Sequence, residues 1–222
     1  MNFYYGLVDL EHNGWGFIEE DDPRVRPDMI FLTHEQWQRL LNEQSQGKEI
    51  VCWDGKVFTS EQGRYWVDAE GWHKKTDEEF NLEKANAARE SITNHLFEIK
   101  AAKAYGGVIV NGAVKFETNQ TSITNTVASI ALMRDTDTTH WKFYTLNDEP
   151  IMIEISKVHL LGLAQFGRDM IDACFAVEGN YIAQLKQATI ENLIDDAWVK
   201  TFEEAAQAAM DEVDNTIDIE FV

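Results

Sequence analysis

Residues 31–58 read FLTHEQWQRLLNEQSQGKEIVCWDGKVF, a short amphipathic helix followed at once by a hairpin. Thr33 and Gln36 stand three apart, so the threonine hydroxyl can take an orphan amide of the first turn while the glutamine reaches back. Trp37, Leu40 and Leu41 then fall on one helical face, and Gly47 supplies the left-handed residue that stops the helix. EIVCW and KVF are strand-forming runs separated by Asp54-Gly55, a pair that tolerates positive φ at both turn positions and so predicts a two-residue hairpin.

Working outward, FYYGLVDL and GWGFIEE precede this stretch and RYWVDAEGWHKK follows it. All three read as strands, several of them in hairpins. Residues 1–75 are therefore predicted as an aromatic-rich α+β module with one short helix. A second capping box, Thr76 with Glu79, opens a helical pattern through Phe80, Ala85, Ala88, Ile92, Leu96 and Ile99 up to Gly106-Gly107. A helix of about 28 residues spans roughly 40 Å. Residues 76–105 are thus expected to connect two modules, and this helix is a candidate surface for homo-oligomer formation.

Beyond it, VIV-NG-AVKF predicts another hairpin, Ser122 to Met133 a helix, and WKFYTL-NDEP-IMIEI a third hairpin that ends where Ser156 can cap a helix. Leu160, Leu163, Gly167, Met170, Cys174, Val177, Tyr181 and Leu185 recur at alternating spacings of three and four. That is one long helix, with a bend expected near Gly179-Asn180. TIENLIDDAWVKTFEEAAQAAM is helical by pattern. The fold class is α+β, with a C-terminal module of β-hairpins and long helices over 106–200 and an acidic, solvent-facing end over 201–222.

The chain has 222 residues, 44% of them apolar and 11% aromatic, enough to fill a core. Its 19 Lys and Arg face 39 Asp and Glu, for a formal charge of −20. Such a surface repels nucleic-acid phosphates and anionic lipid, so neither nucleic acid nor membrane is an expected partner. Residues 189–222 carry ten of the acidic residues against the single Lys200. The longest apolar runs, such as Val127 to Met133, fall far short of a membrane span, and MNFYYGLVDLEHNG lacks the basic start and apolar core of a signal peptide. Cys52 and Cys174 lie in different modules, and two reduced thiols in a reducing cytoplasm are expected.

No phosphate-loop, dinucleotide, nucleophile-elbow, HExxH or paired CxxC motif is present, which removes the usual reasons to expect an enzyme. The histidines at 12, 34, 73, 95, 140 and 159 form no i, i+4 pair. Asp135, Asp137 and His140 are the nearest approach to a metal cluster, but a solvated turn ahead of the Trp141 strand accounts for them. Lys74-Lys75 beside Trp72 is too small a patch to hold nucleic acid. No catalytic residue, metal or cofactor is expected. The candidate partner-binding residues are Trp15, Phe17, Trp66 and Trp72, large aromatics in a module too small to bury them all. They either anchor a partner or pack the sheet against the Trp37–Leu41 helix.

Two segments carry a resemblance. FLTHEQWQRLLNEQSQGKEIVCWDGK resembles the segment shared by tail fibre assembly proteins of tailed phages, in which a threonine-capped helix bearing a Trp and paired Leu leads into Q-x-x-G-K-x-I and then a D-x-x-G-K turn. The matching positions are Thr33, Trp37, Leu40, Leu41, Gln44, Gly47, Lys48, Ile50, Asp54, Gly55 and Lys56. The turn here is one residue shorter, and the usual proline-containing continuation is missing. From about Ile92 to Trp198 the chain is similar to an uncharacterised domain recurrent at the C-terminus of phage tail proteins, through its GGVIVNGAVKFET hairpin, Trp-containing hairpin and long helix with ACF. Together these cover roughly two thirds of the chain.

The resemblance implies a tail fibre chaperone that binds a fibre polypeptide in the cytoplasm of the infected bacterial host and then leaves or stays in the virion tail. Fibres are intertwined trimers whose β edges are exposed during folding and aggregate unless covered. The competing expectations are a structural virion component that binds protein or host-surface glycan, and an acidic DNA-mimic inhibitor of host defence.

Overall fold

The computed structural model describes every residue except Leu10, Asn13, Ala69 and Val222. The fold is α+β, divided into two compact units, Met1–Glu83 and Lys84–Val222. The excess acid divides evenly: 8 basic against 18 acidic residues in the first unit and 11 against 21 in the second, a net −10 in each.

In the first unit β1 (Phe3–Asp9) lies between β2 (Gly14–Glu19) and β3 (Ile30–Leu32), both antiparallel to it. The register sets Tyr5 opposite Phe17 and Leu7 opposite Trp15. Strand alternation therefore puts Phe3, Tyr5, Trp15, Phe17 and Leu32 on one face. Helix α1 (His34–Ser45) covers that face. Both bonds of the Thr33–Gln36 capping box are made, and Gly47 turns at φ 90° just past the helix end. Leu40 is buried at 1% exposure, and the Trp37 ring stacks on Phe3 at 4.2 Å.

Next come β4 (Glu49–Trp53) and β5 (Lys56–Ser60), joined at Asp54-Gly55, whose φ values of 52° and 68° are the positive pair the turn requires. The second two-stranded sheet is β6 (Tyr65–Asp68) with β7 (Gly71–Lys74). Tyr5 Oη donates to the carbonyl of Ile50 and so ties the first sheet to β4.

Helix α2 (Asp77–Tyr105) begins in the first unit, with Glu79 and Thr76 bonded as a capping box. Within the second unit it is more than a connector. Ala85, Ile92, Leu96 and Ile99 are buried in a helical core with Cys174, Leu185, Phe202, Ala206 and Met210. Those partners come from α4 (Lys157–Gln187) and α6 (Asp196–Asp211), with α5 (Ile190–Ile194) between them. Helix α4, capped by Ser156, is one continuous helix through Gly179-Asn180.

A second core lies under a five-stranded sheet of order β11-β10-β9-β8-β12. Its strands are β8 (Val108–Val110), β9 (Val114–Phe116), β10 (Thr138–Thr145), β11 (Pro150–Ser156) and β12 (Thr216–Ile217), with α3 (Gln120–Leu132) following β9. The β8–β9 turn has the expected positive pair, Asn111 at 52° and Gly112 at 63°. Gly167 of α4 has a packing reason, since a Cβ there would sit 3.1 Å from Thr118 Cγ2. The acidic end over 201–222 is not a solvent-facing tail. Phe202, Ala206 and Met210 are buried, and β12 adds in parallel to β8. The carboxylates occupy the outer faces of an element whose other side is core, which a charge count cannot reveal.

Candidate functional site

The first sheet leaves part of its aromatic face uncovered beyond α1. Trp15 and Phe17 rise from β2, Tyr5 stands behind them, and Leu41 and Gln44 of α1 with Glu49 and Ile50 of β4 form the opposite wall. The β6–β7 hairpin closes the end of this groove. In its register Val67 faces Trp72 while Trp66 faces His73, so period-2 alternation sends Val67 and Trp72 to one side and Trp66 and His73 to the other. Trp72 meets Trp15 edge-on at 5.9 Å and 70°. The groove encloses about 410 Å³, and a neighbouring hollow of about 490 Å³ continues past Cys52, Trp53 and Asp54. Trp15 and Trp72 border both, and form the ridge between them.

Three of the four aromatics expected from sequence, Trp15, Phe17 and Trp72, therefore converge. The fourth does not. Trp66 is 46% exposed on the far side of its hairpin and stacks on His73 at 4.1 Å. Sequence reasoning missed Tyr5, Leu41, Gln44, Glu49, Ile50 and Val67. Period-2 parity could have flagged Tyr5, two residues from Phe3 and Leu7 on the same face, but which strand would oppose it was not readable.

The polar groups of the groove are few and mostly engaged. Burial pushes the Tyr5 phenol well above its ordinary range, with Cys52 and Glu49 adding in the same direction, so it stays a donor to Ile50 at any working pH. Burial likewise raises the Cys52 thiol, which favours an inert thiol over a thiolate nucleophile. One Oε of Glu49 accepts the amide of Tyr65 at 3.2 Å. The exception is Trp72 Nε1, which is buried and has no acceptor among the described residues. A buried donor without a partner costs about 1–3 kcal/mol, and this indole N–H is closed off from the groove rather than presented to it.

The other sequence candidates are otherwise occupied. Asp135 pairs with Lys157 at 2.9 Å, and Asp137 accepts the amide of Arg134 at 2.8 Å. Among the described residues no group of three His, Cys, Asp or Glu is placed to hold a metal ion. Lys75 pairs with Glu83, and Lys74 lies 6.0 Å over the ring of Tyr65.

No protein-family model, curated protein or solved structure matches this chain. The groove is therefore read from its own chemistry: aromatic walls and the exposed Gln44 amide suit a ligand with apolar side groups and carbonyl oxygens. An extended polypeptide has both.

Proposed function

We propose that this protein is a non-enzymatic assembly factor for a phage tail fibre, and that it holds a segment of the fibre polypeptide in the groove between Trp15, Phe17 and Trp72. The observation that carries the reading is a coincidence of two independent signals. Leu41, Gln44 and Ile50 belong to the segment that resembles tail fibre assembly proteins, and the same three residues line the groove that the aromatics form.

The chemistry supports binding over turnover. The residues with displaced ionisation in this unit are a buried tyrosine beside a half-buried thiol, Arg24 and surface carboxylates held by neighbouring donors; burial raises both the phenol and the thiol, which leaves neither poised as a nucleophile or base. The net −10 of the unit favours a neutral or basic segment of the partner and disfavours nucleic acid. The fibre chain is synthesised in the cytoplasm of the infected host, and the factor acts there. No helix among the described residues is long and apolar enough to cross a membrane.

The test is co-expression with the tail fibre polypeptide of the same phage. Soluble trimeric fibre should accumulate with the native chain and fall when Trp15 or Trp72 is replaced by alanine in a variant that is still folded. Equal soluble fibre in the absence of the chain would overturn the proposal. Mass spectrometry of purified particles then separates a factor that leaves, absent from the virion, from a structural component that stays.

A further inference from the structure

We propose that the open half of β10, in the second unit, accepts an extended segment of a partner polypeptide as an added strand. The site is separate from the first-unit groove and rests on a different observation. Strand β11 pairs with β10 along its length, from Thr138 to Tyr144, but β9 reaches β10 only at Tyr144–Lys115 and Thr145–Val114. From Thr138 to Phe143, β10 has a strand on one side only.

The direction of its peptide groups follows from the turn. Thr145 donates its N–H to the carbonyl of Glu149 at 2.8 Å and accepts the amide of Asp148 at 2.9 Å, so Thr145 points toward β11. In an antiparallel ladder the direction alternates, and Phe143, Trp141 and Thr139 point the same way. His140 and Lys142 therefore aim N–H and C=O at the side β9 has vacated. Among the described residues no other group bonds to them there.

A specific contact makes the vacancy. Just after β9 the Thr118 hydroxyl donates to the carbonyl of Ala104 at 2.7 Å, and Asn119 caps α3 by accepting the amide of Ser122. These bonds draw the chain off the line that would have continued beside β10. The gap is an open groove of about 860 Å³, walled by Trp141, Lys142 and Tyr144 on one side and by Glu117, Asn119 and Asn125 on the other. That volume lies within the roughly 300–1,000 Å³ typical of ligand sites.

Two features select the occupant. A row of backbone donors and acceptors at strand spacing is matched by another strand, which also removes the hazard of an open edge. The second unit carries a net −10 with one lysine in the groove, so the strand should be neutral to basic. Its side chains alternate, apolar toward the core beside Trp141 and polar toward solvent beside His140 and Lys142.

The test uses the full chain and an acetylated, amidated octapeptide of alternating lysine and valine. At a peptide concentration about ten times its Kd, hydrogen exchange at the His140 and Lys142 amides should slow about tenfold. The amides of Trp141 and Phe143, already in the β11 ladder, should not change. N-methylation of one set of alternate peptide amides should abolish binding, and methylation of the other set should leave it intact. Binding without protection of His140 and Lys142, or equal loss from both methylation sets, would overturn the proposal. So would no binding at millimolar peptide, or the same groove answering only to a chito-oligosaccharide. Trp72→Ala should not alter these readouts, so this site and the first-unit groove stand or fall separately.

Discussion

The side-chain amide of Asn111 brackets the peptide of Ile219 from both ends, its Nδ2 donating to the Ile219 carbonyl and its Oδ1 accepting the Ile219 amide, each at 2.8 Å. The Asn111 amide also donates to the Ile217 carbonyl at 2.9 Å. A turn residue thus holds β12 through Ile217 and the chain just past it through Ile219, 108 positions away. Asn111→Gly keeps the positive φ and deletes both side-chain bonds. It should lower stability by about 1–2 kcal/mol, read as a lower midpoint in urea at unchanged slope. An unchanged midpoint would show that β12 does not depend on this bracket.

Lys100 is 5% exposed, with its ammonium 3.1 Å from Glu178 and 4.3 and 4.5 Å from the ring centres of Phe97 and Phe175. Removing the cation alone leaves Glu178 without its partner in a site mostly shielded from water. Lys100→Ala should therefore cost about 3–5 kcal/mol, whereas the double change Lys100→Met with Glu178→Leu should recover most of that loss. If the double variant is no more stable than the single one, the aromatic sandwich and not the unpaired carboxylate governs the site.

Acid should destabilise the fold only after first helping it. His73, acting mainly through its side-chain bond, holds the Asp68 carboxyl below the usual range. The Thr76 amide does the same for Glu79, and Arg24 draws Asp22 down to about 2. A carboxyl whose folded pKa is depressed contributes stability above its unfolded value near ~4, and loses it as pH falls toward the folded value. Against this, the −20 charge strains the fold near neutrality and relaxes as pH approaches the isoelectric point near 4.5. The melting temperature should rise from about pH 8 to about 5 and fall below about 4, with the rise flattened by salt. A melting temperature still climbing at about pH 3 would contradict the carboxylate assignments.

What could be read from sequence was local. The Thr33 cap, the Gly47 stop, the two Gly-containing turns and the Ser156 cap each depend on residues within four positions of one another, and each stands where its residues indicate. What could not be read depends on distant partners. Nothing in NTIDIEFV announces pairing with β8, because the strand has two residues and is held by Asn111. Trp37, Leu40 and Leu41 share a helical face as expected, yet they divide three ways: onto Phe3, into the core and against the groove. Trp66 and Trp72 look equivalent in the sequence, and only the pairing across β6 and β7 assigns them to opposite faces.

That opposition gives the most direct test of the groove. Trp66→Ala loses a ring stacked on His73 but already 46% exposed, so stability should shift by no more than about 1 kcal/mol and fibre capture should not change. Trp72→Ala opens a hole beside Trp15 and should cost about 3 kcal/mol, which by itself would confuse unfolding with loss of contact. Trp72→Phe separates the two. The ring still meets Trp15, while the buried Nε1 donor that lacks an acceptor is gone, so stability should hold or rise by about 1 kcal/mol. Capture measured by calorimetry on the folded variant should stay near full strength, because the aromatic wall is kept and the lost donor is closed off from the groove. Loss of capture by a folded Trp72→Phe would show that the fibre chain reaches the indole donor after all. Loss of capture in Trp66→Ala with Trp72→Phe intact would move the contact to the opposite face of the hairpin.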